Sequence, residues 1–549
     1  MPRKLSTALL SALLLALAGC ANQGGPIVAA AQTIQVGTDL AVEQVFNRHL
    51  EADPRSLDPT LAVEVPSMIV LQDVFEGLVT AGIDGDTVPG MATAWETSAD
   101  GKTWTFHLRK DARWSNGEPL TARDFVYTFR RLVDPTTASE YAQALAPVEN
   151  AMEIAAGKTP AEKLGVESVD LQTLVIHLRA PTPYLLALLT NVYLSPVYEP
   201  AVKQWGNAWT QPSHMISNGP FVLSERVLSE HITLLKNPHY WDASHVRLSK
   251  VNYLVIGDFT ESTNRYLTGD LDWTDRIPAS DLDRLKQVVG SQVVLAPNFT
   301  TAYYAFNLTK PPFAGNPKLR LALSMAVDRE IFAKYVRRGL GVPAYNLMPP
   351  LPGYDPAVPE WAKLSADDRH ALARKLYQEA GYSESHPLET VITYPSGGAD
   401  VRRQMEALSA MWQTNLGAKV QIYNVEFKVL LEAKLQRQPL FYWDAWSGDY
   451  LDPFTFLQLF TTGNDMNYGG YSNSQYNALV DQASNTNDVA KRMQLFHQAE
   501  SILNEDAPFV PTYFWVSAHL VKPYVKGWQA NLMDRNLSRY VYILAHQES

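Results

Sequence analysis

The chain has 549 residues, 46% of them hydrophobic and 19% charged, with 35 prolines and 30 glycines spread along it. That length accommodates about three or four domains, and the composition excludes a disordered, collagen-like or coiled-coil chain. Fifty-seven acidic against 46 basic side chains give a net charge of -11, which excludes a general nucleic-acid binder, and the single cysteine excludes an internal disulfide and multi-cysteine metal sites.

Arg3 and Lys4 precede an apolar run over residues 5–18, broken only by Ser6, Thr7 and Ser11 and followed by Gly19 and Cys20. The run is shorter than the ~20 residues of a membrane helix; a basic head, an apolar body and small residues before a cut point describe a secretion signal. The segment resembles a bacterial lipoprotein signal, which implies removal of residues 1–19 and lipidation of the Cys20 thiol; an ordinary signal peptide cut near residues 29–31 is the alternative. Loss of Arg3 and Lys4 takes the net charge from -11 to -13. The small, polar residues 21–32 form a short tether. Several acyl chains make such an anchor durable, because each buried methylene contributes only about 0.8 kcal/mol. The expected picture is an acidic body outside the cytoplasmic membrane, anchored at one end.

Period-two faces appear at Trp104, Phe106 and Leu108, at Leu174, Ile176 and Leu178, and at Val251, Tyr253 and Val255, and predict strands. Between the first two, Thr121 and Asp124 open a helix that carries Phe125, Val126 and Phe129 toward a core. In the second half Pro317 leads into Leu319, Ala322, Leu323 and Ala326, a helical spacing repeated by Val401, Met405, Leu408 and Trp412. A strand rich in branched and aromatic residues follows Gly417 over residues 420–427, suggesting a βαβ-like unit. Residues 307–315 (NLTKPPFAG) read as an inter-lobe crossing and the proline-rich residues 348–359 as a surface loop. The fold class is α/β, without tandem repeats.

Enzyme signatures are missing: there is no GxSxG, HExxH, phosphate-binding GK[ST] loop or GxGxxG. His231, His239 and His245 lie among turn signals and read as polar surface rather than metal ligands. No cofactor is implied. The segment FYWDAWSGDY, residues 441–450, alternates rings with acids and small residues. In it Trp443 and Trp446 could wall a cavity, Gly448 could let backbone approach a ligand and Asp449 could receive a cation, so an amine on an apolar body suits the set. Loop capping or a structural ion pair for Asp449, and core packing for the tryptophans, are the competing readings.

A series of motifs runs in order through the chain: LDP at 57–59, DVFEGL at 73–78, WTFHLR at 104–109, WSNGEPLTARDFVYTF at 114–129, NGPFVL at 218–223, KNPHYW at 236–241, NRYLTGDLD at 264–272, LALSMAVDR at 321–329 and WSGDYLDP at 446–453. With them the chain resembles the periplasmic oligopeptide-binding proteins, in the peptide/nickel group of extracellular solute-binding proteins that deliver cargo to ABC transporters. The resemblance implies a two-lobed periplasmic-binding-protein fold with an additional accessory domain: residues 31–75, 200–300 and 516–549 as a discontinuous first lobe, 76–199 as the accessory domain and 301–515 as the second lobe. It implies a non-enzymatic, monomeric binder of short peptides that docks on permease subunits, with a murein peptide, dipeptide or other solute as the alternative cargo.

The resemblance also assigns residues. Asp449 matches an aspartate that pairs with the peptide α-amine, Trp446 a tryptophan lining a side-chain pocket, Lys310 a lysine that meets a peptide carboxylate, and Tyr141 falls near a tyrosine at the cleft. Trp443 stands where relatives carry an arginine, and Val401 near where they carry a carboxylate-binding histidine, with Arg402 and Arg403 adjacent. Carboxylate recognition is therefore expected to be rearranged. The disulfide of enteric relatives corresponds to Thr300 and Ser447, so that staple is absent.

Overall fold

The computed structural model describes residues 34–396 and 398–548. Residues 1–19 and Cys20, and with them the lipoprotein reading, lie outside the described residues. No helix among the described residues is long and apolar enough to cross a membrane.

Two lobes and an additional domain are built on separate sheets. The first lobe carries a four-stranded sheet, Val45–Leu50, Lys250–Val255, His231–Lys236 and Phe221–Val227, and a three-stranded sheet that joins Ile34–Leu40 to the C-terminal strand Tyr542–Glu548 and to Val525–Lys526. The additional domain carries the antiparallel strands Ala92–Thr97, Thr103–Leu108, Thr173–His177 and Val166–Ser168. Its helix Ala122–Val133 begins where the Asp124 carboxylate accepts from the Thr121 N–H at 2.7 Å, and it buries Phe125, Val126 and Phe129. Trp104, Phe106 and Leu108 all face the interior, as alternation requires. One continuous core runs from Phe46 and Tyr253 to Phe106 and Phe125, so this domain is welded to the first lobe rather than hinged on it.

The second lobe is a mixed six-stranded sheet ordered Gly341–Pro343, Phe509–Leu520, Val293–Phe306, Phe441–Ser447, Glu389–Pro395, Lys419–Val425. Its edge is a βαβ unit: Glu389–Pro395 and Lys419–Val425 pair in parallel across the helix Gly398–Leu416. Met405, Leu408 and Trp412 of that helix enter the core on one face of the sheet with Tyr304 and Phe441, while Tyr303 and Tyr442 enter a second core on the other face.

The long strands Val293–Phe306 and Phe509–Leu520 connect the lobes. They pair antiparallel from Val293 opposite Leu520 to Ala305 opposite Phe509, with register shifts between Pro297 and Thr301 and between Ala302 and Tyr303. At one end Ala518 and Leu520 join a first-lobe core with Tyr266 and Leu271; at the other, Phe306 and Val510 are buried in the second lobe.

One expectation for a loop is corrected and another holds in part. Residues 307–315 do not cross between lobes. Asn307 N–H donates to the Leu440 carbonyl, Leu308 N–H to Gly469, and Phe313 is in the second-lobe core; the prolines shape a turn at the end of a strand that has already crossed. Residues 348–359 do reach the surface, with Pro350, Pro352, Gly353, Asp355 and Val358 exposed, but the loop is anchored inward. Leu347, Met348, Leu351 and Tyr354 are buried, and the fully buried Glu500 carboxylate accepts from Met348 N–H (3.0 Å), Ala357 N–H (2.8 Å), Asn346 Nδ2 (2.9 Å) and the Tyr354 hydroxyl (2.9 Å). A partly exposed proline-rich loop is pinned to the core when one buried carboxylate satisfies the amides that face inward.

Candidate functional site between the lobes

Two cavities, of about 710 and 540 Å³, open where the three bodies meet, and Val63, Tyr141, Tyr193 and Asp449 line both. The larger is enclosed by the additional domain and the second lobe, with Tyr184, Trp446, Tyr450 and Phe454 among its walls. The smaller lies between the lobes and is lined by Trp443, Gly448, Trp515 and Arg535.

The strand Phe441–Ser447 positions this set. Its pleat sends Trp443 and Trp446 to opposite faces of the sheet, so Trp446 packs on one core and Trp443 on the other. They therefore wall different cavities, which corrects the expectation of one shared wall. The buried Trp446 indole N–H has no acceptor among the described residues. Gly448 lines the smaller cavity, but a Cβ there would run into the Phe299 ring, and its N–H donates to the Phe299 carbonyl at 2.8 Å. Close packing, rather than ligand approach, demands the glycine.

Asp449 follows two residues after the strand. Its N–H donates to Thr455 Oγ1 (3.1 Å), whose hydroxyl lies 3.4 Å from Oδ2. Its carbonyl accepts from Asn191 Nδ2 of the additional domain (3.2 Å) and Arg535 Nη2 from the C-terminal region (3.4 Å). Among the described residues no cation pairs with its carboxylate, whereas its neighbours Asp444 and Asp452 hold Lys434 (2.9 Å) and Arg492. Burial lifts the Asp449 pKa to about 6, against the opposing effects of the Thr455 hydrogen bond and the Arg535 charge.

Tyr141 stacks on Tyr193, with ring centroids 4.3 Å apart, and burial together with the Asp449 charge pushes its hydroxyl to about 12. Both rings therefore stay neutral beside the carboxylate. Sequence reasoning missed Tyr193, Asn191 and Arg535. Arg535 is spent on the scaffold, donating to Thr190 Oγ1 at 2.7 Å and Asn191 Oδ1 at 2.8 Å. No local pattern marks these residues, because they reach the site only through tertiary folding.

Lys310 is not brought to the site. It is exposed, its ammonium donates to the Arg437 carbonyl at 2.9 Å, and it lines neither cavity. It follows Phe306, opposite Phe441, at the far end of the strand pair from Ser447 and Asp449. Arg402 and Arg403 are likewise absent from the cavity walls and pair with Glu406 and Asp400 on their own helix. Thr300 and Ser447 are Cα partners across the strand pair, and their hydroxyls hydrogen-bond at 2.7 Å where the resemblance had placed a disulfide in relatives.

Two lobes joined by paired strands, with an unpaired carboxylate where cavities meet, define a two-lobed solute-binding protein. The chain belongs to family 5 of the bacterial extracellular solute-binding proteins, whose middle-region model matches residues 86–468. It is 38% identical over 520 residues to the periplasmic murein peptide-binding protein MppA of Escherichia coli K12, covering 94% of this chain and 96% of the relative. The unliganded open form of MppA superposes with a TM-score of 0.82 at 38% identity, covering 93% of this chain and 99% of that one. Haemophilus influenzae OppA in complex with the peptide RPPGFSPFR gives 0.78 at 33% identity, covering 92% and 100%. The family is one of binders rather than enzymes.

Proposed function

We propose that the protein captures short peptides with a free α-ammonium group outside the cytoplasm and delivers them, as a monomer, to the permease subunits of an ABC importer. The observation that carries this reading is Asp449: a carboxylate lifted to about 6 by burial, without a cation of its own, on the wall common to both cavities. An ammonium arriving there completes the missing pair, and a charge-assisted contact in a closed cleft is worth about 1.5–3 kcal/mol. Tyr141 and Trp446 flank it with aromatic surface, while backbone hydrogen bonding and bridging water let side chains vary. Contacts to both lobes exist only when the cleft is shut, so the ligand's differential affinity shifts the population toward the form a permease recognises.

The likeness to MppA favours a murein peptide as a second cargo, which Asp449 would hold by the same free ammonium. Cys20, freed by removal of residues 1–19, carries the lipid that keeps the protein at a membrane. Mass spectrometry of material released by denaturing the natively purified protein tests the cargo. A ladder of short peptides is expected, diaminopimelate-containing masses point to the murein cargo, and one recurrent nonpeptidic mass overturns both.

A further inference from the structure

A peptide that puts its ammonium on Asp449 must place its carboxylate somewhere, and the lysine that resemblance assigns to that task is elsewhere, as are the two arginines beside Val401. Lys310, Arg402 and Arg403 line neither cavity. The three arginines of the smaller cavity are engaged. Arg48 donates to the Asn536 carbonyl (2.7 Å) and Ser538 Oγ (2.9 Å), Arg276 pairs with Asp275 (3.5 Å) and Glu51 (3.6 Å), and Arg535 holds Thr190 and Asn191. Among the described residues the one cation lining the larger cavity is Arg179, against three carboxylates, Glu140, Asp449 and Asp465.

Arg179 is held by its backbone. It follows the strand Thr173–His177 by two residues, and its N–H donates to the Pro147 carbonyl at 2.9 Å. Among the described residues its guanidinium has no ion pair and no hydrogen-bond partner. It is exposed and acts electrostatically on Tyr184, whose ring stacks on Tyr450, the neighbour of Asp449, at 5.3 Å between centroids. The larger cavity thus has an unpaired carboxylate on one wall and an unpaired guanidinium on another.

We infer that Arg179 is the carboxylate-binding residue for peptides lodged in the larger cavity, making the accessory domain a determinant of which cargo is held. The inference rests on the peptide reading above and deepens it. A fork of N–H donors suits a carboxylate. The surrounding acids reinforce the choice: a peptide carboxylate beside Glu140, Asp449 or Asp465 meets like charge, so the Arg179 end is the only favourable berth in that cavity. No family motif in the sequence contains Arg179, which is why the pattern of residues alone does not reveal it.

Calorimetric titration of the mature protein with tri-, tetra- and pentaalanine, their C-terminal amides and their N-acetyl forms tests the inference. For the length bound best, the amide should bind roughly three- to fivefold more weakly than the acid, the upper part of the range expected of a partly solvated ion pair. Arg179→Gln should weaken the acid by the same factor and leave the amide within about twofold, and Arg179→Lys should keep part of the preference. Equal affinity of wild type for acid and amide, or equal losses for both in Arg179→Gln, would overturn the role of Arg179 and leave the peptide reading standing. Failure of every free peptide to bind, or N-acetyl forms binding as tightly as free ones, would overturn the peptide reading itself.

Discussion

Asp449 and Asp452 lie three residues apart, yet the chain treats their charges in opposite ways. Asp452 is buried and completed: both of its oxygens take the Arg492 guanidinium, Oδ1 at 2.7 Å, and Arg492 Nε donates to the Ala483 carbonyl at 3.1 Å. Asp449 is left without a cation, and burial holds its pKa at about 6. A buried charge is tolerable only when paired and hydrogen-bonded. The corner at Asp452 is therefore scaffold, while the corner at Asp449 is incomplete until something outside the chain finishes it.

Breaking the completed corner should have the largest effect. Asp452→Ala strands a buried guanidinium and should cost about 3–5 kcal/mol of second-lobe stability, read as a lowered denaturation midpoint. Next comes Asp449→Asn, with opposite consequences for binding and stability. Affinity for free peptides should fall by about 1.5–3 kcal/mol, roughly 10- to 150-fold by calorimetry. The empty protein should become more stable. A carboxyl whose folded pKa is raised from 3.8 to about 6 contributes stability below pH 3.8 that is lost as pH rises through 6. At pH 7.5 the ionised form therefore costs on the order of 2–3 kcal/mol, which the amide avoids. If Asp449→Asn destabilised the empty protein as Asp452→Ala does, the contrast between the two corners would be wrong.

How far this was readable beforehand differs between scaffold and site. Strands and helices with a clean period, such as Trp104 to Leu108 and Val401 to Trp412, were legible because alternation and three-four spacing act locally. Most of the motifs carrying the family resemblance proved to be scaffold. DVFEGL, NGPFVL and KNPHYW converge on Glu76, whose backbone exchanges hydrogen bonds with Asn218 and whose carboxylate accepts from Tyr240 (2.6 Å), Trp241 (2.7 Å) and Arg539 (2.6 Å). Asp449 was legible as an acid among rings, but its lack of a cation was not, because Lys434 and Arg492 are assigned to its neighbours only by the fold. The inward anchor of the proline-rich loop and the place of the loop at Lys310 were not legible for the same reason: what a loop touches is settled by distant residues such as Glu500 and Arg437.

The next prediction sharpens the comparison through pH. Peptide affinity should peak near pH 7, where Asp449 is mostly ionised and the peptide amine, with a pKa of about 7.7–8.0, is mostly protonated. Below 6 the empty site holds a proton that the ammonium must displace, so affinity should fall about tenfold per unit, with proton release seen as a buffer-dependent heat. In Asp449→Asn this acid limb should vanish. A limb that persists in the variant would assign the titration to another group.

The smallest effect is expected at Lys310, the residue that resemblance placed in the site and the structure does not. Its ammonium is exposed and already donates to a backbone carbonyl, at the end of the strand pair remote from Asp449. At such a separation, and in water, its attraction for a bound carboxylate is largely screened at physiological salt. Lys310→Gln should change peptide affinity by less than about twofold, against the larger, carboxylate-dependent loss in Arg179→Gln. A tenfold loss confined to free-acid peptides in Lys310→Gln would mean that the cargo runs along the whole strand pair, past both cavities, and would move the carboxylate berth from the accessory domain to the second lobe.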